Sequence, residues 1–101
     1  MMGDAMGLNI VLIVDFKSTG VTGSINLSGD DYIDATIVDG KIDLETLNVT
    51  TNFSGIMGSK EYGKEFSFTG TITGMITEDL NIFNGEIIDD EGEGGEFTLA
   101  K

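Results

Sequence analysis

The chain has 101 residues, and its 18 Asp and Glu against five Lys give a formal net charge of −13 at pH 7. Arg, His, Cys, Pro and Trp are absent. A single domain spanning residues 1–101 is expected, because domains commonly contain roughly 100–150 residues. The missing Cys and His exclude disulfides, thiolate nucleophiles and the usual general base near neutral pH. Nucleic acid is a poor partner, because phosphate binding requires clustered positive charge and the Lys are scattered.

Apolar and polar residues alternate with period 2 along most of the chain, which predicts β-strands and no helix. The predicted strands, in chain order, cover residues 8–16, 21–27, 33–38, 41–53, 66–76, 80–88 and 96–101. An eighth strand comes either from residues 2–6 or from a division of the fourth. Residues 8–16 are apolar on both faces, which predicts a strand covered on both sides. The longest purely apolar run, residues 10–14, is far shorter than the roughly 20 residues of a membrane-spanning helix, so no membrane insertion is expected.

Turn signals divide these strands. Asp39-Gly40 lies between two predicted strands and is the strongest short signal for a two-residue hairpin turn. Residues 28–31 and 77–79 also have turn composition. A change in the phase of alternation between Leu44 and Leu47 predicts a β-bulge within the long fourth strand, near residues 45–46.

Two segments are predicted to be loops. Residues 89–96 are acidic and rich in glycine, and residues 54–65 form a long connection that holds two of the five Lys. Loops on a rigid scaffold carry recognition disproportionately, so residues 54–65 are the leading candidate for an interaction site. A flexible loop with no partner is the alternative. The candidate binding residues are Ile56, Met57, Lys60, Tyr62 and Lys64.

The expected fold is an all-β, antiparallel up-and-down β-barrel of about eight strands, because closure removes exposed sheet edges. Gly70 and Gly74 lie on the inward face of the predicted strand 66–76. They leave room either for Phe rings inside a tightly curved wall or for a small apolar ligand. An eight-stranded barrel is just wide enough for side chains to fill it, which favours the first interpretation.

No catalytic constellation is present, and the carboxylates fall mostly at turns, so the protein is not expected to be an enzyme. The acidic segments at 30–34, 39–45 and 89–93 carry oxygen ligands of the kind Ca²⁺ prefers, but none matches a calcium-binding loop. Solvated turns are the favoured interpretation of these segments. We therefore expect no metal and no cofactor.

Several short motifs are spread along the chain. A segment of small residues, 3–7, leads into a strand that ends in Asp15-Phe16, and Gly20-Val-Thr-Gly23-Ser-Ile25 follows a turn. Near the C-terminus come Phe83-Asn-Gly85, an acidic turn at Glu91, and Gly94-Gly95-Glu-Phe97. In this order the motifs resemble the β-barrel domain of transferrin-binding protein B and related surface lipoproteins of Gram-negative bacteria, including the factor H binding protein barrel.

The resemblance implies an eight-stranded barrel displayed at the cell surface or secreted, which binds a protein or serves as a scaffold. It assigns no binding residues, because partner contacts in that family lie in variable loops. The predicted function is a non-enzymatic module that recognises a protein partner through its loops, residues 54–65 first. The alternatives are a small calycin-like carrier, with an apolar pocket between Phe66, Phe68 and Ile72, and a structural scaffold domain. The acidic charge predicts a basic partner surface, or one that meets Lys60 and Lys64.

Overall fold

The computed structural model describes residues 1–5 and 7–101. Its eight strands are β1 (Met2–Ala5), β2 (Leu8–Val14), β3 (Gly20–Leu27), β4 (Asp31–Ile42), β5 (Asn48–Ser59), β6 (Lys64–Ile76), β7 (Ile82–Asp89) and β8 (Gly94–Ala100). Each strand pairs antiparallel with the next, and β1 closes the barrel by pairing with β8. The predicted all-β, up-and-down barrel is therefore confirmed. In the part of the chain that the structure describes, no helix is long and apolar enough to cross a membrane.

The eighth strand comes from the N-terminal segment. β1 pairs with β2 in the register Met2 with Val11 through Ala5 with Leu8. Of the predicted segment 2–6, Met6 lies outside the described residues. This short strand closes the barrel through the pair of Met2 and Ala100, so the ends of the chain lie side by side.

The period-2 alternation places one apolar face of every long strand inside the barrel. Phe53 and Phe68 pack with ring centroids 4.8 Å apart, and Phe83 and Phe97 with centroids 5.7 Å apart. The buried apolar residues are Leu8, Ile10, Leu12, Val21, Ile25, Ala35, Ile37, Ile42, Val49, Phe53, Phe68, Ile72, Ile76, Phe83, Ile87, Phe97 and Leu99. These side chains fill the interior as one cluster.

The inward glycines of β6 make room for two of these rings. A Cβ on Gly70 would lie 2.7 Å from Cζ of Phe53, and a Cβ on Gly74 would lie 2.7 Å from Cζ of Phe83. Real Cβ atoms do not approach so closely, so the rings fit only because these two positions lack a side chain. The Phe-ring interpretation of Gly70 and Gly74 is thereby confirmed.

The prediction of a hairpin turn at Asp39-Gly40 is wrong. β4 runs unbroken from Asp31 to Ile42, and its register against β5 shifts between Val38 and Lys41. Asp39, at φ 54°, supplies the left-handed residue of this β-bulge. Asp-Gly suits a bulge as well as a turn, since both need a positive φ. Pairing with β3 and β5 on either side decides for the bulge.

A turn lies where the β-bulge was predicted, so the prediction of one long strand over residues 41–53 is also wrong. The Oδ1 atom of Asp43 accepts hydrogen bonds from the backbone N–H groups of Glu45 at 2.9 Å and Thr46 at 3.3 Å. Leu47 then adopts φ 61°, and its N–H donates to the carbonyl of Asp43 at 2.7 Å. This carboxylate-capped turn connects β4 to β5 and explains the change of phase between Leu44 and Leu47.

The predicted loop at residues 54–65 is mostly strand. β5 continues to Ser59 and β6 begins at Lys64, so only residues 60–63 connect them. The loop at 89–96 is likewise shorter, since β7 ends at Asp89 and β8 begins at Gly94. On the outer face of β2, Ile13 is 60% exposed, so no loop of the described chain covers it; cover by a partner stays a prediction. Glycine favoured loops in these predictions, whereas the glycines of β5 pair in register with β6.

Candidate binding site at the mouth of the barrel

The mouth is the end of the barrel at which β3 turns into β4, β5 into β6, and β7 into β8. β5 and β6 have 12 and 13 residues, whereas β7 and β8 have eight and seven. β7 pairs with β6 only from Gly70 to Ile76, so residues 64–69 of β6 extend past it. The β5–β6 hairpin therefore projects beyond the mouth.

An apolar row crosses four neighbouring strands near the mouth and continues the inward face of the barrel. It consists of Leu27, Ile33, Met57 and Phe66, which are successive cross-strand partners on β3, β4, β5 and β6. Leu27 and Ile33 are half-buried, Met57 is 39% exposed and Phe66 is 59% exposed. The hydrophobic core thus reaches solvent along one line of side chains.

The apolar row lines a depression at the mouth. One cleft of about 390 Å³ has the whole row in its walls, together with Asp31 and Tyr32. A second cleft of about 240 Å³ shares Leu27 and Ile33 with it and adds other residues. Those residues are Leu8, Phe68, Ile87, Asp89, Glu93 and Gly94. The two clefts form one depression with an apolar floor, open to solvent.

Two contacts hold the hairpin against its neighbours. The ring of Tyr32 lies over Gly58, where a Cβ would come within 2.7 Å of Cζ, and its hydroxyl donates to Oε2 of Glu65 at 2.9 Å. This hydrogen bond raises the pKa of Tyr32, because it favours the protonated phenol. The N–H of Lys60 donates to the carbonyl of Asp30 at 2.7 Å, which joins the hairpin tip to the β3–β4 turn.

The mouth is strongly acidic. Its turns and their flanking residues carry eight carboxylates against Lys60 and Lys64. The eight are Asp30, Asp31, Glu61, Glu65, Asp89, Asp90, Glu91 and Glu93. Within residues 1–5 and 7–101, no three acidic side chains come together in a way that would hold a metal ion. Eight carboxylates against two lysines make the electrostatic potential at the mouth negative.

Hydrogen bonds position the carboxylates of the β7–β8 turn. The Oδ1 atom of Asp89 accepts from the N–H of Glu91 at 3.0 Å and of Glu93 at 2.9 Å. The N–H of Asp90 donates to the carbonyl of Thr69 at 3.0 Å, and the Thr69 hydroxyl donates to the Asp90 carboxylate. This turn is thereby fixed against β6 with Asp89 and Glu93 in the wall of the smaller cleft.

The structure places the five candidate residues that the sequence predicted in different environments. Met57 belongs to the apolar row, whereas Ile56 is half-buried on the outer face, between its partners Asp34 and Ser67. Lys60 and Tyr62 lie in the turn, with Tyr62 72% exposed, and Lys64 begins β6.

Sequence reasoning missed the exposure of Phe66. Alternation assigns Phe66 to the inward face, which is correct, but the strand reaches beyond the barrel at that point. The signal for this exposure is Met57. The sequence prediction places Met57 in a loop, whereas in the structure it pairs directly with Phe66.

The fold and the site together define a small, closed, eight-stranded antiparallel barrel with an acidic, apolar-floored mouth. No protein-family model, curated protein or solved structure matches the chain. The resemblance to the transferrin-binding protein B barrel therefore stays a prediction.

Proposed function

We propose that this barrel is a non-enzymatic binding module that recognises a protein partner at its mouth, exported to the bacterial surface as the resemblance implies. The observation that carries the proposal is the exposure of Met57 and Phe66 at the solvent end of the apolar row. Large apolar side chains that are exposed together and rimmed by polar residues are typical of interaction sites.

The energetic argument rests on burial and on rigidity. Burying a fully exposed Phe or Met side chain contributes about 1.5–3 kcal/mol, and Met57 and Phe66 retain the share of this that belongs to their exposed surface. Both side chains lie on paired strands, and Tyr32 and Lys60 tie the hairpin to its neighbours. A partner therefore loses little of this free energy to the ordering of the site.

The interior supports the carrier alternative less well. Phe53, Phe83 and Ile72 are fully buried and occupy the middle of the barrel. The depression at the mouth has a floor of side chains that belong to the same core cluster. It is suited to the side chains of a partner that lies across it, rather than to a ligand enclosed in the barrel.

Capture from blood plasma by the immobilised barrel tests the proposal. Deleting residues 55–62 would remove strand residues that pair with both β4 and β6, so point substitutions are the sharper test. We expect Met57→Ser with Phe66→Ser to abolish specific capture, because the solvent end of the apolar row is lost. Captured proteins are identified and quantified by mass spectrometry.

The matched control is Phe16→Ser with Met75→Ser. These side chains are 39% and 50% exposed, and neither lines the mouth. Circular dichroism verifies that each variant is folded. Equal capture by both double variants, or no capture by the original barrel, would contradict the proposal and favour a structural scaffold.

A further inference from the structure

We infer that the partner presents a basic amphipathic peptide segment to the mouth, with neighbouring apolar side chains flanked by Lys or Arg. The inference rests on the proposed function and names the chemistry of the segment that the mouth accepts. Apolar side chains of the segment would lie on the apolar row, and its cations would face the carboxylates of the surrounding turns.

The shape of the depression supports an occupant that lies across the mouth. The larger cleft is about 390 Å³ and the smaller about 240 Å³, and both are open on one side. Small-molecule pockets enclose most of the surface of their ligand, whereas these two clefts are open to solvent. The clefts suit a few apolar side chains projecting from one peptide, which is how amphipathic segments dock in grooves.

The charges around the depression favour a cationic occupant. Asp31 lies in the wall of the larger cleft, and Asp89 and Glu93 lie in the wall of the smaller one. Lys60 and Lys64 are not in either wall, since they occupy the turn and the first position of β6 beyond Phe66. Carboxylates therefore dominate over the apolar floor, and complementary charge would raise the association rate and select against acidic segments.

The same charges disfavour a second copy of this chain as the occupant. Two copies would bring together mouths that each carry eight carboxylates against two lysines, on chains of net charge −13. Like charges placed across an interface oppose association, and salt at physiological strength screens them only beyond about 8 Å. A basic segment is the occupant that both the floor and the rim accept.

Fluorescence anisotropy with three labelled synthetic peptides tests the inference. The first is an amphipathic peptide of Leu and Lys, the second replaces every Lys with Glu, and the third replaces every Leu with Ser. At about 150 mM NaCl, where surface charges are largely screened beyond the Debye length, we expect only the Leu–Lys peptide to bind. Binding of the Leu–Glu peptide with similar affinity would overturn the inference.

Paired variants locate the binding. Met57→Ser with Phe66→Ser is expected to weaken the Leu–Lys peptide at least about tenfold, from the lost burial of two side chains. Phe16→Ser with Met75→Ser is expected to leave its affinity unchanged. Equal weakening by the two pairs would overturn the inference, because it would indicate general adsorption to an acidic protein.

A second comparison isolates the carboxylates at the same net charge. Asp31→Asn with Glu93→Gln is expected to weaken binding and flatten its salt dependence, whereas Glu86→Gln with Glu96→Gln on the barrel wall is not. An equal effect of both pairs would overturn the assigned role of the rim.

If plasma capture depends on the mouth but the Leu–Lys peptide does not bind, the inference fails and the proposed function stands. If the peptide binds at the mouth but plasma capture is absent, the inference is supported and the proposed function fails.

Discussion

Thr51 is the one buried polar side chain among the residues that the structure describes. Its Oγ1 lies 3.1 Å from the carbonyl oxygens of both Val38 and Asn52, so its hydroxyl donates to either. A Cβ on Gly40 would lie 2.8 Å from Oγ1 of Thr51, which places Thr51 against the β-bulge of β4. The bulge interrupts the regular pairing after Val38, and the Thr51 hydroxyl donates to the carbonyl at its edge.

Thr51→Val is expected to lower the free energy of unfolding by roughly 1–2 kcal/mol, because the substitution removes the donor but keeps the shape of the side chain. Urea unfolding monitored by circular dichroism measures the change. Thr71→Val is the control, since Thr71 is exposed on the outer face and is expected to change stability by less than about 0.5 kcal/mol. Equal stability of the two variants would show that the hydroxyl of Thr51 is not required at the bulge.

Met57 and Phe66 show how far the candidate site is predictable from single residues. The type of Met57 and its neighbourhood of glycine and lysine indicate an interaction residue. For Phe66, alternation gives the face correctly, but its exposure depends on where β7 stops pairing with β6, at the pair of Gly70 and Asp89. A residue's own neighbours in sequence hold no information about that distant end.

At the scale of elements, two turns are built alike from unlike sequences. Asp15 and Asp43 each accept two backbone N–H groups through Oδ1, at 2.9 and 3.3 Å. Four residues later, Thr19 and Leu47 adopt φ 64° and 61°. The hydrogen bond from the N–H of Lys17 is the main cause that lowers the pKa of Asp15. A single aspartate at the end of a strand is thus sufficient to cap a turn. The turn preference of Asp39-Gly40 is overridden, because these residues lie in mid-strand and β4 pairs with a strand on each side.

Gly74→Ala is expected to lower the free energy of unfolding by about 1–3 kcal/mol, the usual cost of overpacking a closely packed wall. The added Cβ would lie 2.7 Å from Cζ of Phe83 and 2.6 Å from Cα of Gly85, so both a ring and a backbone must shift. Gly20→Ala is the matched control, because its Cβ would meet only Oγ of Ser18, at 3.3 Å. Thermal unfolding measures both, and a Gly74→Ala variant as stable as the control would contradict the close packing.

At the scale of the whole molecule, the net charge opposes compaction through self-repulsion. One like-charged pair is built into the wall, where Glu86 on β7 lies directly across from Glu96 on β8. Like charges at opposed positions of an antiparallel pair are destabilising, typically by a fraction of a kcal/mol. The high density of acidic residues therefore has a cost in stability.

Glu96→Lys is expected to raise the free energy of unfolding by about 0.5–1 kcal/mol at low salt, because a like-charged cross-strand pair becomes an opposite one. The gain should shrink as NaCl is added and screens the pair. Glu45→Lys makes the same change in net charge in the β4–β5 turn, without a carboxylate on a neighbouring strand. An equal gain from both variants would indicate that net charge, rather than the pair, limits stability.

The sequence by itself determined the barrel. Alternation with period 2 identifies which face of each strand is buried, since side chains on a strand point to opposite sides, and the inward Gly70 and Gly74 predict the rings that pack on them. Composition likewise determined the acidic character of the surface. These properties follow from residues close together in the chain or from their sum.

Only the tertiary structure decided where strands end, which loop becomes a hairpin, and which apolar residues reach solvent. Asp39-Gly40 became a bulge and residues 54–65 became paired strands, because hydrogen bonds to two neighbouring strands outweigh local turn preference. The mouth exists because β5 and β6 extend past the end of β7, which leaves Met57 and Phe66 beyond the closed wall. The binding site proposed here is thus a consequence of unequal strand lengths, which long-range pairing alone defines.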